Sequence, residues 1–356
     1  MTIDTIDSDP QTSDGRRTFL RLAIAVALSV AALQACGGSS PTPPTTPTPP
    51  VTQPPPATTY SIAGQVVETL TRAPIAGARV ESGAINATTD TNGRFTLSST
   101  TQPPGTVGLT VSASGHRTRE TNLTYPRAGE PVIDLTSTSA PFSEDFYNQL
   151  ARNTYEAPGE RTQLWRLSAA PRLYLKTTDE TGKLVPPEVI TVVTGALTDA
   201  VRLYSAGTFS AAIEQGTGTR PEEAGWINVE IRQTIPQGDY CGLATIGASP
   251  GWIQLRLERC GCGSVKVPAA VVLHEVGHAL GFFHVSDRNS VMFPFNSGEC
   301  RQQTLSALEL THVAVAYARP RANRDPDRDP ANFAFFNPFQ ATPGWGGGPL
   351  PLKLPN

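Results

Sequence analysis

The sequence predicts an α+β fold, in which a small all-β sandwich precedes a larger domain of mixed strands and helices. Between residues 60 and 135, short stretches of alternating apolar and polar residues are separated by turn residues, without a helical period. Beyond residue 141, Pro187–Tyr204 carries apolar residues at helical spacing, and strand-like stretches lie on either side of it. A histidine-rich stretch, residues 274–284, then combines helical spacing with side chains that bind metals. Together these observations place the chemistry in the second domain.

Length and composition agree with two modest domains joined by linkers. The chain has 356 residues, and its 28 Lys and Arg nearly balance its 31 Asp and Glu, so neither nucleic acid nor an acidic substrate is favoured as a partner. The expected divisions are a signal peptide with a lipobox (1–36), a Pro/Thr-rich linker (37–59), a β-sandwich (60–136), the larger domain (142–320) and a flexible tail (321–356).

The N-terminus is predicted to be an export signal. Arg16 and Arg17 precede an apolar run over residues 22–35, and a charged region followed by about 14 apolar residues is typical of a signal peptide. The twin arginines resemble a bacterial Tat signal, with a Sec signal as the alternative. The sequence that ends at Cys36 resembles a lipobox, which implies lipidation of that cysteine; simple cleavage before it is the alternative. Residues 41–59 then predict a semi-rigid stalk, as in a lipoprotein of the bacterial envelope, facing the periplasm or the cell surface.

Three turn-rich stretches in the β region resemble the carboxypeptidase regulatory-like family. They read G-x-V over residues 64–66, P-I-x-G-A-x-V over residues 74–80 and T-D-x-N-G-x-F over residues 89–95. The resemblance implies a role in spacing, binding or stabilisation. Asp90 and Asn92 are expected to form an Asx turn, with a calcium site as the less favoured alternative.

The larger domain is expected to order its elements as strand, helix, strands and then the histidine-rich helix. The alternating stretches Trp226–Arg232 and 252–257 are predicted to be half-buried antiparallel strands. A helix is expected to begin at Pro268, and another over residues 304–319, with Ser306 and Glu309 as a capping box. Strands are also predicted at residues 172–177 and 211–214.

The histidine-rich stretch has the spacing of a metal site. On a helix, His274 and His278 project from one face and can bind the same ion. Glu275 lies one position further round, within reach of an attacking water. Gly281 can adopt a positive φ and end the helix, so that His284 turns back as a third ligand. Three protein ligands leave one position open, as in catalytic zinc sites; a buried helix with incidental histidines is the alternative.

This H-E-x-x-H-x-x-G-x-x-H stretch resembles the metzincin clan of zinc endopeptidases. Met292 lies eight residues beyond His284 in a Ser-Val-Met-x-Pro setting that looks like the matrixins, which implies a Met-turn beneath the histidines. Pro294 stands where some relatives carry a tyrosine ligand, so no such ligand is expected. The resemblance implies a zincin-like α+β domain with a twisted, mostly antiparallel-edged sheet, an active-site helix, a Met-turn and a C-terminal helix. It also implies one catalytic Zn²⁺ and an edge strand that binds peptides; structural Ca²⁺ stays open.

Four cysteines remain beyond Cys36, an even number that predicts two disulfides in an exported domain. Cys260 and Cys262 are too close in sequence to bridge each other. Cys241 is therefore expected to pair with one of them and Cys300 with the other, in an order that the sequence leaves open. A four-cysteine structural zinc site is the alternative.

These features predict a zinc-dependent endopeptidase that hydrolyses extracellular or envelope proteins. Glu275 is expected to act as the general base. The alternatives are a lipid-anchored surface protein with a non-catalytic metal site and a zinc hydrolase that acts on a non-peptide bond. The expected partners are a protein or peptide substrate and, through the N-terminal lipid, a membrane. The chain is expected to be a monomer, and the sequence leaves open whether residues 137–170 act as a short inhibitory segment.

Overall fold

The computed structural model describes residues 60–101, 105–139, 141–236, 240–258, 264–294 and 304–331. Within these ranges, no helix is both long enough and apolar enough to span a bilayer. The predicted signal peptide, Cys36 and the linker lie outside the described residues. So do Cys260, Cys262 and Cys300, and the predicted tail from residue 332 onward.

The β module is a sandwich of two sheets, as the alternating pattern predicts. One sheet has the strand order β4-β1-β7, and the other the order β3-β2-β5-β6. Apolar side chains from both sheets fill one core, which includes Val66, Leu97, Leu109 and Ile133. The strands are β1 (Tyr60–Glu68), β2 (Arg79–Ser82), β3 (Ile85–Thr88), β4 (Arg94–Ser99), β5 (Thr106–Ser112), β6 (Arg119–Thr124) and β7 (Val132–Leu135).

The turn before β4 is an Asx turn, as expected. The Asp90 carboxylate accepts hydrogen bonds from the backbone N–H groups of Asn92 and Arg94, both at 2.8 Å. Gly93 has a φ of +70°, a conformation that glycine adopts readily. The Asp90 side chain is therefore used to close the turn.

The larger domain is built on one five-stranded sheet with the order β11-β12-β10-β8-β9. Strands β12, β10, β8 and β9 run parallel, and β11 is an antiparallel strand at one edge. These strands are β8 (Arg172–Lys176), β9 (Ala212–Gly216), β10 (Trp226–Arg232), β11 (Gly242–Ala244) and β12 (Gly251–Arg256). The helices are α1 (Glu144–Arg152), α2 (Pro187–Tyr204), α3 (Ala269–Ala279) and α4 (Ala307–Tyr317).

The direction of one strand pair differs from the prediction. Strands β10 and β12 pair parallel, with Val229 opposite Ile253, whereas an antiparallel pair was expected. Alternation of apolar and polar residues reports which side chains are buried but not the direction of the neighbouring strand. Residues 233–250 are long enough to return the chain to the start of the sheet, which parallel pairing requires. The antiparallel strand is instead β11, at the edge.

Helix α1 is an element that the sequence analysis does not predict. Ser143 caps it by accepting from the Phe146 N–H, and Asn153 ends it in the left-handed conformation. The helix packs against α4, where Phe142 stacks on the buried ring of His312 at 5.0 Å. His312 also accepts from the Ser143 N–H at 2.9 Å. His312 is thus a packed histidine.

The chain after α4 differs from the flexible tail predicted from residue 321 onward, because residues up to 329 pair with both folded modules. The backbone of Asn323 pairs with that of Leu164 in the larger domain, at 2.8 Å. On the other side, the backbone of Glu120 in β6 pairs with Asp327 and Asp329, at 2.8 and 2.9 Å. An Arg/Asp/Pro-rich composition suggests solvation, but these side chains find partners from distant parts of the chain.

Two residues after α4 and two from the β module form a buried charge cluster, here called the interdomain cluster: Arg319, Asp329, Arg119 and Asp134. All four are at most 8% exposed. Arg319 donates to Asp134 at 2.8 Å, and Arg119 contacts Asp134 and also donates to Asp329 at 2.8 Å. Two positive and two negative side chains therefore neutralise each other where the β module meets the larger domain.

Candidate metal centre

The three predicted histidine ligands converge in the structure. His274 and His278 lie on one face of α3, and the chain then turns at Gly281, which has a φ of +103°. The turn brings His284 back, so that the three Nε2 atoms lie 3.1, 3.1 and 3.2 Å from one another. Among the described residues, these three form the one His/Cys/Asp/Glu group with metal-binding geometry.

Gly281 is required for two reasons. Its positive φ is strained for other residues. A Cβ atom at this position would also lie 2.6 Å from the backbone of Trp165, which packs against the end of α3. The predicted helix-ending glycine is therefore also a packing position.

Hydrogen bonds at the Nδ1 atoms fix how the imidazoles present their lone pairs. The Nδ1 of His274 lies 2.7 Å from the Val291 carbonyl, and that of His278 lies 2.9 Å from the Phe282 carbonyl. A carbonyl only accepts, so each Nδ1 carries the proton and each Nε2 carries a free lone pair. Burial lowers the pKa of His274 to about 4 and that of His278 well below its usual value, which keeps both rings neutral.

Three lone pairs pointing at one another at this distance repel unless a cation lies between them. Tetrahedral zinc with Zn–N bonds of about 2.0–2.1 Å separates its nitrogens by about 3.3 Å, close to the spacing of these histidines. The donor set of three imidazoles also suits zinc. The residues present therefore fit the metal that the sequence predicts.

Glu275 lies beside these ligands and against the edge strand β11. Its side chain is buried (4% exposed), and burial raises its pKa to about 8, a shift that a neighbouring cation opposes. A Cβ atom on Gly242 would lie 2.6 Å from the Glu275 Cγ atom, so only glycine leaves room for this carboxylate. No sequence motif marks Gly242, since its contact with Glu275 is set by the pairing of β11 with β12.

Met292 lies beneath α3, at the predicted position of the Met-turn. It is fully buried, and its Sδ atom would be 2.5 Å from a Cβ atom on Gly277, with the Tyr204 ring on the same side. The turn is held from α4, because the Glu309 carboxylate accepts from the Ser290 hydroxyl at 2.6 Å and from the Val291 N–H at 2.9 Å. Its other oxygen completes the predicted capping box of α4. Glu309 therefore links the start of α4 to the floor of the site.

A second unpredicted residue contacts the third histidine. The Nδ1 of His284 lies 2.6 Å from Glu156 Oε1, and the Glu156 side chain is 51% exposed. Glu156 follows α1 in a loop without a motif, so no sequence signal marks it. Of the predicted disulfide candidates only Cys241 is described, next to β11, and the pairing stays a prediction.

Two family models match the chain. Residues 61–138 match the carboxypeptidase regulatory-like domain, and residues 264–317 match the matrixin family. Both matches fall where the sequence motifs predict them. The chain thus carries a metallopeptidase-type histidine site behind a β-sandwich module. More particularly, residues 264–317 are similar to the matrixins and residues 61–138 to the carboxypeptidase regulatory-like domain.

Similarities to individual proteins are weaker. No curated protein matches the chain. Two interface mutants of a type II cohesin–X-dockerin complex from Acetivibrio cellulolyticus are similar to part of the chain. The N-terminal interface mutant is 24% identical over 25% of this chain and 67% of that one, with a TM-score of 0.19. The C-terminal interface mutant is 23% identical over 22% of this chain and 53% of that one, with a TM-score of 0.16. Metalloproteinase-II from Bacteroides fragilis is 12% identical over 70% of this chain and 87% of that one, with a TM-score of 0.28. TM-scores this low do not establish a shared fold.

Proposed function

We propose that this protein is a zinc-dependent endopeptidase that hydrolyses peptide bonds of extracellular or envelope proteins. The observation that carries the proposal is the convergence of the three histidine Nε2 atoms, together with the buried carboxylate of Glu275, the residue that directly follows His274. The matrixin match over residues 264–317 supports the same chemistry.

His274, His278 and His284 would hold the ion. When bound, zinc polarises the scissile carbonyl and lowers the pKa of water in its open coordination position. Glu275 accepts the proton of the attacking water and passes it to the leaving amine. Its buried position against Gly242 holds the carboxylate in place for both transfers. The Met-turn packs beneath α3 at Gly277 and so supports the helix face that carries His274 and His278.

Strand β11 is the best candidate for binding the peptide. It forms the edge of the described sheet, and its Gly242 borders Glu275. Pairing with β12 uses one side of β11, which leaves the other side for an extended substrate to add as a further strand. Backbone pairing of this kind favours peptides over other substrates, which supports a peptidase.

We also propose that the enzyme acts outside the cytoplasm as a lipid-anchored envelope protein. The Tat-like signal, the lipobox cysteine Cys36 and the Pro/Thr-rich linker support this location, and so does an even number of cysteines in the remaining chain. The linker would hold the two folded modules away from the membrane.

The substitution Glu275→Gln tests the function. It should leave zinc bound and lower peptide cleavage by at least about 10²–10⁴-fold, because the general base is lost. Cleavage would be measured on an unselective peptide library by mass spectrometry, with metal content measured in parallel. Glu188→Gln, at an exposed carboxylate on α2, is the matched control and should retain full activity.

Three outcomes would contradict the proposal. Wild-type cleavage by Glu275→Gln would exclude the mechanism. Zinc binding by the wild type without any peptide cleavage would favour a surface binding protein or a hydrolase of another bond. Cleavage that persists after chelation and removal of the metal would exclude a metallopeptidase.

A further inference from the structure

The three histidines of the site differ in what holds their Nδ1 atoms. His274 and His278 each contact a backbone carbonyl, at 2.7 and 2.9 Å. His284 instead contacts a carboxylate oxygen, Glu156 Oε1, at 2.6 Å. A carboxylate is a stronger acceptor than a carbonyl, and charge-assisted hydrogen bonds are shorter than neutral ones, as the 2.6 Å distance is here. One ligand of the three is therefore supported differently.

Helix α1 forms hydrogen bonds with residues on both sides of His284. The Leu150 carbonyl at the end of α1 accepts from the Phe283 N–H at 2.7 Å. Gln149 Oε1 accepts from the Ser286 N–H, also at 2.7 Å. These two contacts fix α1 next to the ligand, and Glu156 follows α1 by four residues. The contact of Glu156 with His284 thus adds to the hydrogen bonds by which α1 holds the backbone of Phe283 and Ser286.

We propose that Glu156 is a positioning residue for the metal, acting through His284. Its carboxylate accepts the Nδ1–H of the imidazole, which keeps the Nε2 lone pair directed at the ion and makes that nitrogen a better donor. The inference rests on the proposed zinc site but not on its peptidase activity. It also assigns a role to a residue far from the matrixin match, which covers residues 264–317.

The exposure of Glu156 separates this role from a structural one. A side chain that is 51% exposed contributes little to folding, because water screens its interactions and can replace the hydrogen bond. Its influence on the metal passes through a single residue, because the predicted ligand His284 is its hydrogen-bond partner. The proposal therefore predicts a loss of zinc affinity without a matching loss of stability in the metal-free protein.

Zinc affinity of the full chain tests the proposal, measured by competition with a chelator of known affinity. Glu156→Ala should weaken zinc binding about 10–100-fold, which is the usual effect of removing such a partner. Glu156→Gln keeps an acceptor but no charge, so its loss should be smaller. Glu160→Ala removes an exposed carboxylate from the same loop and should leave the affinity unchanged.

A double-mutant cycle separates action through His284 from a general effect of charge. In a His284→Ala background, Glu156→Ala should no longer change zinc affinity, since the ligand through which it acts is gone. The thermal unfolding of each metal-free variant shows that it is folded.

Two results would overturn the positioning role. One is wild-type zinc affinity in a folded Glu156→Ala variant, and the other is an equal loss in the His284→Ala background. A wild-type chain that binds zinc but cleaves nothing would refute the peptidase and leave the role of Glu156 intact.

Discussion

The three histidines of the metal site lie within eleven consecutive residues, whereas the interdomain cluster draws its four charged residues from β6, β7 and the chain after α4. Both groups are polar and largely buried. The histidines turn their three Nε2 atoms toward one point, an arrangement that suits a cation from outside. The cluster contains two arginines and two aspartates, so its charges balance without an ion from outside.

This difference shows that buried polar groups can serve ligand binding or packing, and that charge balance separates the two. A site built for a metal leaves its donors without partners from the protein. A structural cluster pairs each charge, as Arg319 does with Asp134. The comparison predicts that the cluster governs the stability of the protein and that the histidines govern its chemistry.

The largest expected effect is at Asp134, which is fully buried between Arg119 and Arg319. Asp134→Asn should lower the free energy of unfolding by about 3–5 kcal/mol, because it leaves two buried guanidinium groups without their shared counter-charge. Urea unfolding followed by circular dichroism would measure the change. Zinc affinity of the folded variant should stay the same.

An exposed ion pair at the same interface provides the control. Glu120 and Arg328 are paired at 2.8 Å with side chains that are 48% and 66% exposed. Glu120→Gln should leave the free energy of unfolding nearly unchanged, because solvent screens this pair. Equal losses for the two substitutions would show that burial is not what distinguishes the cluster.

A smaller effect is expected beneath the histidines. Gly277→Ala would place a Cβ atom 2.5 Å from Met292 Sδ and 2.8 Å from the Tyr204 ring, so it should cost about 1–3 kcal/mol by overpacking. It should also weaken zinc binding, because α3 must shift relative to the Met-turn. Thermal unfolding and chelator competition would measure the two effects.

Gly195→Ala is the matched control, on an exposed face of α2 with no atom near the added methyl group. It should stabilise the protein by about 0.5–1 kcal/mol, because alanine favours a helix. Stabilisation by both substitutions would mean that the floor of the metal site is loosely packed.

The smallest effect concerns acid pH. Burial raises the pKa of Asp134, but the charges of Arg319 and Arg119 outweigh burial, so its folded pKa lies well below the usual value. Such a group contributes stability above the unfolded pKa of about 3.9, and this contribution is lost as the pH falls toward the folded pKa. The stability difference between the wild type and Asp134→Asn should therefore shrink by about 1 kcal/mol between pH 7 and pH 3. A difference that grows in acid would contradict the ion pairing.

Local signals account for the parts of the fold that the sequence predicts correctly. Helix α2 has the predicted bounds, since Pro187 begins it and its apolar period is unbroken. The capping box of Ser306 and Glu309 forms as expected. The histidine geometry follows from the spacing of eleven residues and from Gly281. In each case the interacting residues are close in sequence, so their spacing along the chain predicts the contact.

Contacts between distant residues account for what the sequence could not predict. Glu156 meets His284 across 128 positions, and Arg119 meets Asp329 across 210. Gly242 borders Glu275 only because β11 pairs with β12. Helix α1 is the exception, because Ser143 and the acidic residues after it are a local start signal that could have been recognised.

Residues 319–329 follow most of both modules in the sequence, and this order has a consequence for biosynthesis. Translation completes the β module first, so Arg119 and Asp134 are made long before Arg319 and Asp329. Until those residues emerge, the two earlier side chains and the edge of β6 face water. The ion pairs of the interdomain cluster are therefore among the last contacts to form in a newly made chain.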